Sequence, residues 1–171
     1  MPVVATIVHG VNGGTTVAGR SGPLSSSEDR ARFQRLRASA DVIIIGGQTS
    51  RHEPYKDTPA PLFVITRNDE IPGSAALNPR AMIWQSSISD LVEAIKDEYQ
   101  FIQMEGGPNL LAEALSQNLI DHLYVTRTQK IAEPPFLKIG FKDCGLTLIR
   151  EESAASGEED FLHYARLPLK S

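Results

Sequence analysis

The stretch Met104-Glu105-Gly106-Gly107-Pro108-Asn109-Leu110-Leu111 joins a predicted strand to a predicted helix. The apolar run Phe101-Ile102-Gln103-Met104 is typical of a buried strand, and the apolar residues of 110–115 recur with helical spacing. Glycines at such a turn let a ligand approach the backbone, and the free N–H groups of the first helical turn attract phosphate. The junction is therefore either a cofactor-binding turn that also presents the Glu105 carboxylate, or a plain tight connection.

The same alternation of strands and helices continues on both sides of this junction. Helices are predicted over 25–40, where Ser25 and Ser26 resemble capping residues, and over 87–99, where Ser87 is the expected cap. Strands are predicted at 1–8, 41–47, 61–67, 81–84, 119–127, 145–152 and 160–167. This order predicts an α/β fold of three layers, with a mixed, mostly parallel central sheet and a C-terminal antiparallel hairpin.

Two polar segments carry more specific expectations. The glycine-rich segment 10–16 is too polar for regular structure and is predicted to be a surface loop near a ligand, or a plain turn. In the helix over 25–40, Phe33, Leu36 and Ala40 are predicted to form the apolar stripe. The arginines of that helix are interpreted as a solvated face; they are Arg30, Arg32, Arg35 and Arg37.

Composition limits the function classes. The chain has 171 residues, 41% of them hydrophobic, which predicts one compact domain over 1–171. A net charge of -4 gives no basic excess for nucleic acid, and no run approaches a membrane span in length. The single Cys144 excludes an internal disulfide framework and favours the cytoplasm. The four histidines lack metal-ligand spacing, so no metal site is expected.

Three segments place polar or glycine residues directly after a predicted strand. They are Gly46-Gly47-Gln48-Thr49-Ser50-Arg51-His52-Glu53, Thr66-Arg67-Asn68 and Glu105-Gly106-Gly107. Because open α/β sheets bind ligands outside the carboxyl ends of their strands, these segments should meet in one cleft. Glycines there can admit a pyrophosphate, and arginines can bind a phosphate monoester. The G-x-G-x-x-G fingerprint and the P-loop are both missing, which disfavours a standard Rossmann dehydrogenase.

Taken in order, six short motifs resemble the reductase domain of bacterial riboflavin biosynthesis. The motifs are Asn12-Gly13, Gly19-Arg20-Ser21-Gly22-Pro23-Leu24-Ser25-Ser26, Leu36-Arg37-Ala38-Ser39-Ala40-Asp41, Gly46-Gly47-Gln48-Thr49-Ser50-Arg51-His52-Glu53-Pro54-Tyr55, Glu105-Gly106-Gly107-Pro108 and Leu119-Ile120-Asp121. The resemblance spans residues 3 to 126 and implies a dihydrofolate reductase-like fold. It also implies an NADPH-dependent reductase that transfers hydride to the ribose C1 of a 5-amino-6-(5-phosphoribosylamino)uracil, or of a related pyrimidine or pterin.

The resemblance also implies which residues contact the cofactor. The adenosine 2′-phosphate would lie at Thr66 and Arg67, which favours NADPH over NADH. The remaining contacts would be Gly46, Gly47, Thr49 and Arg51, with Gly106, Gly107, Asn109 and Leu110 at the pyrophosphate. Glu53 and Glu105 are the candidates for proton donation and substrate orientation. The family commonly forms homodimers, and the segment after Tyr124 is a candidate contact surface.

The chain departs from the family pattern near its first strand. The usual Ser-x-Asp-Gly is here Gly10-Val11-Asn12-Gly13, so an amide replaces a carboxylate. Asn12 can orient a small-molecule substrate but cannot donate a carboxylic acid proton. This departure keeps open the alternative of a noncatalytic nucleotide-binding protein with the same fold. A true dihydrofolate reductase is disfavoured, because no acidic residue lies near the first strand.

Overall fold

Eight strands form the central sheet of the computed structural model, which describes residues 1–138 and 140–167. The described strands are β1 (Val3–His9), β2 (Gly14–Thr16), β3 (Val42–Gly46), β4 (Leu62–Ile65), β5 (Ala81–Trp84), β6 (Ile102–Glu105), β7 (His122–Thr128), β8 (Glu133–Phe136), β9 (Thr147–Ser153) and β10 (Glu159–Ala165). The described α-helices are α1 (Ser27–Ala38), α2 (Gly47–His52), α3 (Ile88–Ile95) and α4 (Pro108–Ser116).

The central sheet has the strand order β5-β4-β3-β6-β1-β7-β10-β9. The first six of these strands run parallel, and β10 pairs antiparallel with both β7 and β9. The predicted three-layer α/β fold with a mixed, mostly parallel sheet is therefore confirmed, as is the C-terminal hairpin. Residues Val42, Ile43, Ile44 and Ile45 of β3 are fully buried, as expected for a parallel strand that is covered on both faces.

One face of the sheet packs against α3 and α4 through apolar side chains. Ile88 and Leu91 of α3 and Leu111 of α4 lie in one buried cluster with Met104 of β6 and Val125 of β7. The Ser87 hydroxyl accepts a hydrogen bond from the Asp90 N–H at 3.1 Å, which confirms the predicted cap of α3. Each of these two helices buries an apolar stripe against the sheet, as amphipathic helices do.

The other face of the sheet carries a second apolar cluster, at β3 and β4, and α1, which contacts the strands through polar and charged side chains. Because successive strand residues point to opposite faces, Glu105 and Thr126 lie on this face, and both touch α1. The only buried residues of α1 are Asp29 and Arg37. The predicted solvated arginine face is therefore wrong for Arg37. The residues of the predicted apolar stripe, Phe33, Leu36 and Ala40, are partly buried, and Ala40 packs against the apolar cluster at β3 and β4.

The glycine-rich segment 10–16 is not entirely a loop, which corrects the prediction. Its last three residues form β2, which pairs antiparallel with the unpredicted strand β8. A side chain on Gly14 would place its Cβ only 2.6 Å from backbone atoms of Ala132, so glycine permits this close approach. The Ser26 hydroxyl caps α1 by accepting from the Asp29 N–H at 3.1 Å, as predicted.

Candidate functional site

A cleft of about 360 Å³ lies between α1 and the carboxyl-terminal parts of the central strands. Its floor includes Thr6 and Val8 of β1 and Tyr124 of β7, and its roof includes Phe33 and Leu36 of α1. The side walls come from β2, from α2 and its following loop, and from the turn between β6 and α4. Small-molecule sites commonly have this size and this position on open α/β sheets.

The glycine turns after β3 and β6 adjoin each other, as predicted. The Gly107 N–H donates to the Thr49 Oγ1 at 3.2 Å, which joins the first and third predicted segments. A Cβ on Gly47 would lie 3.0 Å from the Thr66 Oγ1, so the turn after β3 also packs closely on the end of β4. A Cβ on Gly46 would lie 3.8 Å from Leu110. The three strand ends therefore form one continuous surface.

The predicted cofactor residues occupy three kinds of position on this surface. Thr49, Gly106 and Gly107 line the cleft itself. Behind them, at the closely packed ends of β3 and β4 and in the first turn of α4, lie Gly46, Gly47, Thr66 and Leu110. The exposed members of the set are Arg51, Arg67 and Asn109.

Glu105 is buried at the base of the cleft and receives three hydrogen bonds. The Arg37 guanidinium donates to both carboxylate oxygens, from Nε to Oε1 at 2.9 Å and from Nη2 to Oε2 at 2.5 Å. The Tyr55 hydroxyl donates to Oε2 at 2.8 Å. Glu105 is 4% exposed, so a charge there requires such partners. We call Arg37, Tyr55 and Glu105 the buried triad.

The two partners of Glu105 are themselves held by their surroundings. The Arg37 guanidinium lies over the Phe33 ring at 4.7 Å and over the Tyr55 ring at 5.1 Å. Burial opposes its positive charge, but the hydrogen bonds and negative charge of Glu105 outweigh burial and raise the pKa of Arg37. Burial, and then the charge of Glu105, raise the pKa of Tyr55 well above its usual range. At neutral pH the triad therefore keeps a charged guanidinium and an intact phenol.

Glu53 also lines the cleft, but its carboxylate is much less engaged. The Ser21 N–H donates to the Glu53 Oε1 at 2.6 Å, and no other described group donates to this carboxylate. The side chain is half-buried, so it can meet both solvent and a ligand. Glu53 and Glu105 thus line the same cleft, but Glu105 accepts three hydrogen bonds and Glu53 accepts one.

The Asn12 side chain is used within the protein. Its Nδ2 donates to the Ala132 carbonyl at 2.8 Å, and its Oδ1 accepts from the Ala132 N–H at 3.0 Å. Asn12 therefore connects the loop before β2 to the segment before β8, and it is not among the residues that line the cleft. The cleft is instead lined on this side by Thr15 and Thr16, whose hydroxyls donate to the carbonyls of Pro135 and Pro134.

Sequence reasoning missed several residues of the cleft. Asp29 was not among the predicted site residues, yet its carboxylate is buried, lines the cleft and accepts a hydrogen bond from the Thr126 hydroxyl. Tyr55 and Arg37 had no signal beyond their place in the family-like motifs, because their shared partner Glu105 is distant along the chain. The catalytic roles predicted for Glu53, Glu105 and Asn12 stay predictions.

Neither a candidate metal site nor a membrane-spanning helix is found among the residues that the structure describes. Among residues 1–138 and 140–167, no group of three or more His, Cys, Asp or Glu side chains has an arrangement that could hold a metal ion. Over the same ranges, every helix is too short or too polar to cross a lipid bilayer.

Comparisons with known proteins show which proteins this chain resembles. The family model for the RibD C-terminal domain matches residues 2–131. A pyrimidine reductase-like protein from Corynebacterium diphtheriae superimposes with a TM-score of 0.73 at 18% identity, covering 98% of this chain and 92% of that protein. No curated protein sequence matches significantly.

A second similar structure belongs to a larger enzyme. It is a diaminohydroxyphosphoribosylaminopyrimidine deaminase/5-amino-6-(5-phosphoribosylamino)uracil reductase from Thermotoga maritima, with a TM-score of 0.68 at 12% identity. The superposition covers 97% of this chain but 56% of that protein. At these identities the two structures support the fold alone, whereas the match to the RibD C-terminal domain covers most of the chain.

Proposed function

The chain belongs to the RibD C-terminal domain family, and from that premise we propose that it is an NADPH-dependent reductase of a ribosylaminopyrimidine phosphate. The proposed acceptor is 5-amino-6-(5-phosphoribosylamino)uracil, or a related pyrimidine or pterin, with its ribose opened to an imine or carbonyl. The observation that carries the proposal is one cleft that joins glycine turns at the strand ends to two carboxylates, Glu53 and Glu105.

The residues at the strand ends fit a phosphorylated dinucleotide. The N–H groups of Asn109 and Leu110 lie in the first turn of α4 and have no described acceptor, and they follow the partly exposed Gly106 and Gly107, which line the cleft. Such N–H groups are suited to a pyrophosphate. Arg67 is exposed directly after β4, where its guanidinium can bind the 2′-phosphate of the adenosine. When bound, NADPH would supply the hydride for the acceptor C1 and leave as NADP⁺.

The chain itself has to deliver one proton. When C1 of the acceptor gains hydride, the electron pair of the C=N or C=O bond moves to the heteroatom, which then takes a proton. Glu53 has an oxygen without a described donor and lines the cleft, so it can give this proton and recover it from solvent. α1 and the loop after α2 cover the reacting atoms and limit the access of water.

An NADPH oxidation assay tests this proposal. The unmodified protein should bind NADPH and oxidise it only when the ribosylaminopyrimidine phosphate is present. Glu53→Gln should lower kcat by roughly 10²- to 10⁴-fold, the usual contribution of a general acid, with little change in NADPH affinity. Glu113→Gln, an exposed carboxylate on α4, is the matched control and should retain full activity. Failure to bind NADPH would overturn the proposal.

A noncatalytic nucleotide-binding protein is the second candidate. The observation that favours it is Asn12, which replaces the family's acidic residue and has its amide bonded to Ala132. NADPH binding without oxidation, for every pyrimidine and pterin acceptor tried, would support this candidate and contradict the reductase.

We also propose that the protein acts as a homodimer in the cytoplasm. The pairing would involve the sheet and the segment after Tyr124, by analogy with the family. Light scattering should give twice the mass of one chain. A single-chain mass at micromolar concentration would contradict the dimer.

A further inference from the structure

The buried triad differs from a usual acid catalyst in how completely its carboxylate is bonded. The Arg37 guanidinium forms a bidentate pair with Glu105, and the Tyr55 hydroxyl adds a third donor. These three donors occupy three of the four acceptor positions of the carboxylate, and the guanidinium places a positive charge beside it. Glu105 is therefore held as an acceptor.

Glu105 retains one place for a ligand. Its Oε2 accepts from both Arg37 and Tyr55, whereas Oε1 accepts, among the residues that the structure describes, from the Arg37 Nε alone. Each carboxylate oxygen can accept two hydrogen bonds, so one acceptor position on Oε1 remains. Glu105 is among the residues that line the cleft, with 2% of its side chain exposed, so a donor on a bound substrate would meet the carboxylate from the cleft side.

We infer that Arg37 is a positioning residue for the reduction, because it holds Glu105 as a fixed hydrogen-bond acceptor for an N–H or O–H group of the substrate and thereby leaves proton delivery to Glu53. This inference rests on the proposed function. The ring amide and amino groups of a pyrimidine are donors of the required kind. A substrate that lacks such a donor would leave the buried Glu105 oxygen unsatisfied and would bind more weakly.

The geometry around Arg37 explains why an arginine is required. Its guanidinium lies over the Phe33 ring at 4.7 Å and over the Tyr55 ring at 5.1 Å, while two of its nitrogens donate to the two oxygens of Glu105. A lysine keeps the charge but can offer neither the planar fork nor the stacking. The Arg37→Lys variant therefore keeps a cation beside Glu105 while it loosens the carboxylate.

Steady-state kinetics of Arg37→Lys test the inference directly. A small displacement of an orienting group lowers the rate by up to about 100-fold, so kcat should fall by roughly 10- to 100-fold. The dissociation constant of NADPH should stay within about twofold, because the glycine turns are unchanged. The matched control is Arg35→Lys, on the same helix turn but exposed, which should change kcat by less than about twofold.

A double-mutant cycle shows whether Arg37 acts through Glu105. In the Glu105→Gln background, Arg37→Lys should cost less than about threefold in kcat, since the group that it positions is already altered. Equal costs of Arg37→Lys in both backgrounds would overturn the inference. A parallel loss of NADPH affinity would also overturn it, since that result indicates general damage to the cleft.

A comparison of the two carboxylates keeps the inference testable even if Arg37→Lys does not fold. Glu105→Gln retains an oxygen that can accept a hydrogen bond but has no acidic proton. The inference predicts that Glu105→Gln loses less of kcat than Glu53→Gln, and the reverse order would overturn it. If the unmodified protein oxidises no NADPH with any acceptor, the proposed function fails and the inference fails with it. If the unmodified protein does oxidise NADPH, but Glu105→Gln loses more of kcat than Glu53→Gln, then the inference fails while the proposed function stands.

Discussion

The two faces of the central sheet are covered in different ways. On one face, α3 and α4 bury apolar side chains such as Leu91 and Leu111 against the strands. On the other face, α1 makes polar contacts that include Asp29 with Thr126 and Arg37 with Glu105. The space of the cleft lies beside these two contacts. The α3 and α4 face contributes stability through apolar burial, whereas the other face, which is also apolar at β3 and β4, provides a site beneath α1.

This difference follows from the physics of the two kinds of contact. Apolar burial is non-directional and fills space, so a face held together in that way leaves little room for a ligand. Charged pairs act over a few atoms in a defined geometry, and α1 can therefore be anchored at Asp29 and Arg37 without filling the region between them. The two anchors are about 12 Å apart along the helix, at a rise of 1.5 Å per residue.

The largest expected effect comes from breaking the buried pair on the polar face. Arg37→Met leaves the Glu105 charge buried without its main partner and should lower the free energy of unfolding by about 3–5 kcal/mol. The double variant Arg37→Met/Glu105→Met removes both charges and should recover most of this loss. Urea unfolding followed by circular dichroism measures both. A double variant less stable than Arg37→Met would contradict the account.

The matched control for that variant is a salt bridge on the surface. Arg150 pairs with Glu152 at 2.5 Å, but the Arg150 side chain is 67% exposed. Arg150→Met should therefore change the free energy of unfolding by less than about 0.5 kcal/mol.

A large truncation on the apolar face should cost a similar amount of stability without touching the cleft. Leu111 is 1% exposed, and Leu111→Ala should lower the free energy of unfolding by about 2–5 kcal/mol through lost burial and a new cavity. Leu77 is 68% exposed, and Leu77→Ala should be nearly neutral. Both variants should retain NADPH affinity well below their melting temperatures. A specific loss of affinity in Leu111→Ala would contradict the proposed separation of the two faces.

The second anchor of α1 should contribute less than the first. Thr126→Val keeps the shape of the side chain but removes the hydroxyl that donates to the buried Asp29 carboxylate. The expected loss is about 1–3 kcal/mol of unfolding free energy. The same exchange at the exposed Thr147 of β9 is the control and should be neutral. A cost above that of Arg37→Met would reverse the proposed ranking of the two anchors.

The smallest expected effect is a pH dependence carried by Tyr55. Because burial and the charge of Glu105 raise the pKa of Tyr55 in the folded state, the unfolded chain loses this phenol proton first as the pH rises. Stability from Tyr55 is complete below about pH 10 and should be lower by about 1 kcal/mol at about pH 11. Tyr55→Phe should remove this part of the alkaline decline. An unchanged decline in the variant would contradict the assignment.

The sequence was sufficient for the elements whose signals are local. The β-branched run of β3, the capped amphipathic pattern of α3 and the glycine turn after β6 each depend on neighbouring residues, and all three lie where predicted. The order of these elements also gave the three-layer fold. The glycine turns after β3 and β6 meet because both follow parallel strands of one sheet.

The missed features depend on partners that are distant in the sequence. Arg37 is buried only because Glu105, 68 residues later, neutralises it. The strand β8 contains two prolines and four exposed residues, so its own sequence favours a loop. It is a strand because it pairs with β2, more than a hundred residues earlier.

The short helix α2 has only six residues, among them glycine, threonine and serine, which are poor helix formers.

A structure of the complex with NADPH tests the central claim most directly. The account predicts the pyrophosphate against Gly106 and Gly107, and the nicotinamide ring inside the cleft beneath α1. The nicotinamide C4 should face an open space that the Glu53 carboxylate can reach, with Arg37 still paired to Glu105. A cofactor bound outside this cleft, or a nicotinamide ring that occupies the only space beside Glu53, would contradict the account.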